Sequence, residues 1–250
     1  MHLDRLMSVL EAVALAGRPV SPADLVAATG LPRPTCYRLI QSLTDQRLLD
    51  EPEPGRYITG ARLLRLALHG QPDQDISARA APILQEAAET FGDAVFLSRF
   101  RNKCVEIIHV ETPRDATAAF IHPGLGFRPM HACSCSKAIA AFAEDTFRED
   151  ILSGPLRSYT DQTKTNPEDL RAEFDAIRDR GFAECVEEIE VGITSVAAPV
   201  QVGGLGAVLS IGAIGSIRRF TDQRRDQIGR DLIGLANRTG RALSLANVPS

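Results

Sequence analysis

Long apolar runs are missing from this 250-residue chain. No stretch of eighteen apolar residues occurs, so no helix is expected to span a bilayer. The first residues are partly apolar, but they include Asp4, Arg5 and Glu11. Leu3, Leu6, Val9, Leu10 and Val13 recur at helical spacing, so this segment reads as an amphipathic helix and not as a signal peptide. Cysteine is sparse. The five residues Cys36, Cys104, Cys133, Cys135 and Cys185 are odd in number and follow no framework spacing. With no export signal they read as reduced thiols of a cytoplasmic protein. Tryptophan is absent, which excludes nothing.

A surplus of base is missing as well. The net charge of −4 speaks against a strongly basic nucleic-acid binder. The charge is unevenly spread, however: up to Pro72 there are eight bases against seven acids, and every base is arginine. Arginine is the better phosphate fork. A near-neutral domain of this kind is expected to need dimerisation to hold DNA.

What is present is led by Ser21 to Leu43. Ser21 is a good N-cap and Pro22 suits the first helical position, so a short helix is expected over Pro22 to Thr29. Gly30 supplies the left-handed stop. A second helix starts near Arg33 or Pro34, with Cys36, Leu39, Ile40 and Leu43 on one face. Thr35, Tyr37, Arg38, Gln41 and Ser42 lie on the other face, and all of them can donate hydrogen bonds. That is what a helix entering the DNA major groove needs. Arg33, Tyr37 and Gln41 are the candidates for base contact. Thr35, Arg38 and Ser42 are those for phosphate. Leu48 to Asp50 and Arg56 to Thr59 read as strands around a turn at Glu51 to Gly55, which completes a winged helix-turn-helix. Arg56 stands beside the wing tip within reach of a phosphate, whereas Glu51 and Glu53 would repel DNA.

A helix over Gly60 to His69 leads to the polar stretch Gln71 to Asp75, the natural boundary. Beyond it, helices are expected at Ile76 to Phe91, at the HACSCSKAIAAF segment, at Pro167 to Arg180 and from Thr221-Asp222 to about Leu245. Strands are expected at Ala94 to Phe100, Cys104 to Val110, Ala116 to Ile121, Gly181 to Glu184, Thr194 to Val200 and Gly206 to Ile211. The result is an α+β domain with a largely antiparallel sheet.

The cluster His131-Ala-Cys133-Ser134-Cys135-Ser136-Lys137 sits where a helix begins. Free N–H groups and a partial positive charge there favour an anion, with the backbone at Ser134 and Cys135 as the floor. Lys137 is a tempting counter-charge, yet a lysine in that place is ordinarily solvated or structural. Rival readings are a metal held by His131, Cys133 and Cys135, or an enzyme with Cys135 as nucleophile and His131 as base. A second pair of ligands is missing for the first, and an acidic orienting group for the second. A purely structural second domain is a further alternative. No catalytic residue, metal or cofactor is therefore expected. His109 reads as a core or dimer-face residue, His122 as exposed.

The pattern G-L-P-R-P-T-C-Y-R-L, from Gly30 to Leu39, resembles the recognition-helix start of IclR-type bacterial transcriptional regulators. The likeness extends from about Leu3 to Ala246. It includes the wing ending Tyr57-Ile58-Thr59-Gly60, the segments P-M-H-A-C-S-C-S-K-A and R-G-F-A-E-C-V-E-E-I-E-V-G, the strand S-V-A-A-P-V, and A-V-L-S-I-G. It implies a DNA-binding domain at 1–60, a linker helix and hinge at 61–75, and a GAF-like effector domain at 76–250. It also implies homodimers, often paired as tetramers. Two recognition helices in such a dimer are expected to read the half-sites of a pseudo-palindromic operator, with repression rather than activation the expected outcome. By the same resemblance the effector is a small carboxylate, held by the backbone at Ser134 and Cys135 with side chains of Cys185, Ser195 and Ser210. Family members often carry acids where Cys185-Val186 stand here, and glycine at Ser136. A small pocket of hydroxyls and thiols suits a short 2-oxo acid such as glyoxylate or pyruvate; an aromatic acid is the competing expectation.

Overall fold

The structure is a computed structural model and describes residues 2–114, 121–143, 145–201 and 207–245. The chain divides into two compact units, one running through Gly70 and one from Gln71 on.

In the first unit, α1 (His2–Ala16), α2 (Pro22–Thr29) and α3 (Arg33–Asp45) precede a hairpin of β1 (Leu49–Glu53) and β2 (Arg56–Thr59), and α4 (Ala61–Gly70) follows. Val9, Val13, Leu25, Cys36, Leu39, Ile40, Leu43 and Leu49 form its core, so the apolar positions of all three helices point to one place. The entry to α2 is a capping box. Ser21 Oγ accepts from Asp24 N at 3.2 Å, and Asp24 Oδ2 accepts from Ser21 N at 2.9 Å. Gly30 ends the helix at φ 66°. The wing differs from the expected form. The first strand extends further, to Glu53, while the second occupies Arg56–Thr59 as expected, leaving a two-residue turn at Pro54-Gly55 with Gly55 at φ 72°. The link before α2 also joins in, because Val20 bridges Tyr57 with N–O distances of 3.0 and 2.9 Å.

Two consequences of the cap are measurable. Ser21→Ala removes an N-cap acceptor and should lower the stability of this unit by about 1 kcal/mol in urea unfolding. The Asp24 carboxyl is held below its ordinary value by the hydrogen bonds from Ser21. A depressed folded value means that the contribution is present above the unfolded pKa and is lost as pH falls through the folded one.

In the second unit, α5 (Asp73–Phe91) leads into β3 (Ala94–Arg101) and β4 (Cys104–Glu111). After them come β5 (Gly126–Arg128), α6 (Ser134–Ala141), α7 (Asp145–Leu152), α8 (Pro167–Arg180), β6 (Ala183–Val186), β7 (Ile193–Gln201), β8 (Ala207–Ser216) and α9 (Asp222–Leu245). The six strands make one antiparallel sheet in the order β5-β4-β3-β8-β7-β6. Helices α5 and α9 cover one face and α6 the other, backed by α7 and α8. Period-two alternation assigns the faces. On β3, Phe96 and Ser98 point toward α6, while Arg99 points toward α5 and reaches Asp73 Oδ1 at 2.5 Å.

Several expectations change. Helix α5 begins at Asp73, one turn before Ile76, because its acidic first turn anchors Arg99 and Arg101. The β3–β4 turn narrows to Asn102 and Lys103, both at positive φ, the form that matches the strand twist. Helix α7 lies in a stretch where no helix is expected. Strand β8 runs five residues beyond Ile211, through Gly212 and Gly215. The strand expected at Ala116 to Ile121 lies outside the described residues apart from Ile121, which is not in a strand. Among the described residues, no helix is long and apolar enough to cross a membrane.

Candidate DNA interface and effector cavity

Helix α3 presents Arg33, Tyr37, Arg38, Gln41 and Ser42 to solvent, with Thr35 half-buried. Tyr37 is 54 % exposed, unusual for a ring without an outward task. Asp45 shares this face, a feature the residue pattern did not bring out: Gln41 Nε2 donates to Asp45 Oδ1 at 2.7 Å. Arg56 on the wing turns back to α2, with Nη1 3.7 Å from Asp24 Oδ2. Both side chains of that pair are well exposed, so the pair is weak and the guanidinium is available to a stronger anion.

In the second unit a cavity of about 340 Å³ opens between the sheet, the start of α6 and the loop before β5. Its walls are mainly apolar, from Phe96, Ile107, Ile121, Phe127, Ile189, Ile193 and Ile214. The polar part is Arg128, Ser195, Cys133, Cys185, His122 and Glu190. Among the described residues, Arg128 is the one permanent positive charge in this wall. Its guanidinium is fixed by three carbonyls: Nη2 donates to Pro123 O at 2.5 Å and Gly124 O at 2.7 Å, and Nη1 to Phe127 O at 2.8 Å. Nothing in the spacing marked it out; its place directly before Pro129 at the helix entry was the available signal.

The five residues expected at the effector site fall into two layers. Cys185 and Ser195 face the cavity. Ser134 Oγ lies 2.7 Å from Ser195 Oγ, which joins α6 to β7. Ser210 and Cys135 lie behind the wall. Ser210 Oγ donates to Cys135 O at 3.3 Å and sits 2.5 Å from Ser98 Oγ, so its hydroxyl is used in seating α6 on the sheet.

Lys137 is neither a ligand counter-charge nor solvated. It is fully buried, with Nζ 2.8 Å from Glu173 Oε1 and 2.6 Å from Glu188 Oε1. Burial works against the ammonium, but the Glu173 and Glu188 carboxylates outweigh it and hold the group above the ordinary lysine value. Glu173 also meets Lys164 Nζ at 3.1 Å, and the two cations keep it low against the burial that would raise it. Among the described residues Glu188 has no second cation at ion-pair distance, and burial pushes it up.

The rival chemistries are not assembled. His131 Nε2 is 2.9 Å from Arg157 O, and its ring stacks on Tyr159, so it faces away from the thiols. Among the described residues no group of three His, Cys, Asp or Glu is placed to hold a metal ion. Cys135 is fully buried. Burial would raise its thiol, but hydrogen bonds from Cys133, Ser98 and Ser136 outweigh this and lower it. Cys133 is pushed well up by its bond to Cys135 and by burial, and burial takes Cys185 up to about 12. His109 is half-buried with Nε2 2.8 Å from Glu111 Oε1, and His122 is exposed.

A winged helix-turn-helix and a separate domain built around a ligand-sized cavity define a DNA-binding regulator. The comparisons agree. The IclR helix-turn-helix domain matches residues 2–52, and the C-terminal domain of bacterial IclR transcriptional regulators matches residues 71–241. The chain belongs to the IclR family. It is similar to the glycerol operon regulatory protein of Streptomyces coelicolor, with 26 % identity over 243 residues, covering 97 % of this chain and 94 % of that one. Likeness to the transcriptional repressor IclR of Escherichia coli is 25 % over 237 residues, 94 % of this chain and 86 % of that one. An IclR homologue from Microbacterium hydrocarbonoxydans in complex with 4-hydroxybenzoate shares the fold, with a TM-score of 0.60 and 23 % identity over 97 % of this chain and all of that one. The first two are, by name, an operon regulatory protein and a transcriptional repressor.

Proposed function

We propose that this IclR-family regulator represses transcription by binding a pseudo-palindromic operator as a homodimer or a pair of dimers, and that a small carboxylate in the cavity alters this binding. Arg33, Tyr37 and Gln41 read bases, Gln41 exchanging Asp45 for a base edge. Thr35, Arg38, Ser42 and Arg56 hold phosphates. The observation that carries the effector assignment is a single fixed guanidinium among the described residues, Arg128, in a mainly apolar wall. Such a cavity takes one carboxylate and an apolar body. Glyoxylate or pyruvate would satisfy Arg128 and Ser195 but leave most of the 340 Å³ unfilled, so the walls favour an aromatic acid. The neighbour holding 4-hydroxybenzoate is in keeping with that choice. The acid must bind two arrangements of the protein unequally to shift the DNA-competent population.

The test is fluorescence anisotropy on DNA from directly upstream of the protein's own coding sequence. It is run against salt and against glyoxylate, pyruvate, benzoate and 4-hydroxybenzoate. Arg38→Ala should weaken binding to every sequence and reduce the log–log salt slope by about 1. Arg128→Gln should keep DNA binding and weaken the response to the active acid at least about 10-fold, in line with loss of a charge-assisted hydrogen bond. An unchanged salt slope overturns the role of Arg38. If no acid alters DNA binding or gives heat in calorimetry, the effector assignment falls and the second unit is structural.

A further inference from the structure

The helix entry that walls the cavity carries two thiols that the regulatory reading does not use. Cys133 Sγ and Cys135 Sγ are 3.3 Å apart. Cys133 lines the cavity and Cys135 lies directly behind it, so a molecule inside meets Cys133 first and the second sulfur next to it. His131 is committed to Arg157 O, and no third side chain completes a metal site among the described residues. Metals that need three or four protein donors are therefore not served. What the pair offers is a two-sulfur bite of fixed width.

That width selects a geometry. With soft-centre–sulfur bonds of about 2.3 Å, two sulfurs stand ~4.6 Å apart in linear coordination and ~3.8 Å apart in tetrahedral coordination. At a near-right angle they stand ~3.3 Å apart. Pyramidal trivalent arsenic, whose lone pair compresses its bond angles, has the last of these. It also needs only two thiolates when its third position is an oxygen or carbon substituent. We propose that Cys133 and Cys135 form a chelating dithiol site for trivalent arsenicals, with the third substituent lying in the cavity. An aryl group on arsenic finds the apolar walls at Phe96, Ile107, Ile193 and Ile214.

The step balances without an oxidant. Each of two As–OH bonds breaks as an As–S bond forms. Each departing hydroxide takes the proton of the thiol that replaces it, so two waters leave and arsenic stays trivalent. The thiol–thiol contact assists, because it holds the two sulfurs 3.3 Å apart before arsenic arrives.

The probe is phenylarsine oxide, added to the full-length protein kept reduced with a phosphine. Intact mass spectrometry should show one phenylarsenic group per chain. It should resist 2-mercaptoethanol and leave with 2,3-dimercaptopropanol. Maleimide labelling after unfolding should then miss both Cys133 and Cys135 while labelling Cys36, Cys104 and Cys185, a map that needs no variant. Cys133→Ala and Cys135→Ala should each lose the adduct, and Cys36→Ala and Cys104→Ala keep it. No adduct, an adduct retained in both cavity variants, or protection of any other pair of cysteines overturns the site. None of these readings depends on a carboxylate effector.

Discussion

Lys137→Ala should lower the stability of the second unit by about 3–5 kcal/mol, the usual result of removing one partner from a buried ion pair. The reason is the pair of carboxylates left behind. Glu173 and Glu188 converge on a fully buried Nζ from α8 and from the loop between β6 and β7. Without the ammonium, Glu188 must take a proton or draw water into the core. Urea unfolding followed by circular dichroism measures the loss. The combination Lys137→Met, Glu173→Gln and Glu188→Gln should recover a large part of it, since well-packed neutral groups can replace a buried ionic cluster at little cost. A Lys137→Ala protein that unfolds at the wild-type midpoint would show that the cluster contributes nothing.

Gly212→Ala should remove about 1–3 kcal/mol and shrink the cavity in the same stroke. Gly212 pairs across the sheet with Phe96 and with Ala197. An added Cβ would lie 2.4 Å from Phe96 Cζ and 2.7 Å from Val196 O. Both the ring and the neighbouring β7 backbone must shift, and Phe96 is part of the cavity wall. Calorimetric binding of benzoate should weaken along with stability. The Phe96→Leu background should soften both effects, and a double-mutant cycle gives the coupling. Strictly additive effects of the two changes would mean that the methyl and the ring do not meet.

Local signals made much of the fold legible. Ser21, Pro22 and Gly30 marked α2 because capping is a contact among neighbours in sequence, and the face of Cys36, Leu39, Ile40 and Leu43 marked the buried side of α3. The far end of β8 was not legible. Gly212 and Gly215 look like breakers until the rings of Phe96 and Phe220 are seen to occupy the space their side chains would need. Helix α7 was missed because it is eight residues long and buries only Ile151 and Leu152. The helix position of Lys137 suits a solvated or a structural lysine alike, and the carboxylates that hold it come from 36 and 51 residues away. Arg128 escaped for a similar reason: its place in the wall depends on how the preceding loop folds back to clasp it.

That clasp also gives the cavity a way of counting charge. Arg128 is held in place before any ligand arrives, and the exposed carboxylate of Glu190 lies in the same wall. The wall is therefore neutral as a whole but divided. A monoanion neutralises Arg128 and turns its body toward isoleucine and phenylalanine. A dianion would bring a second negative charge into a space that holds Glu190 and, among the described residues, no second permanent cation. Selection between the two follows from valence rather than from shape, and it grows as salt is diluted.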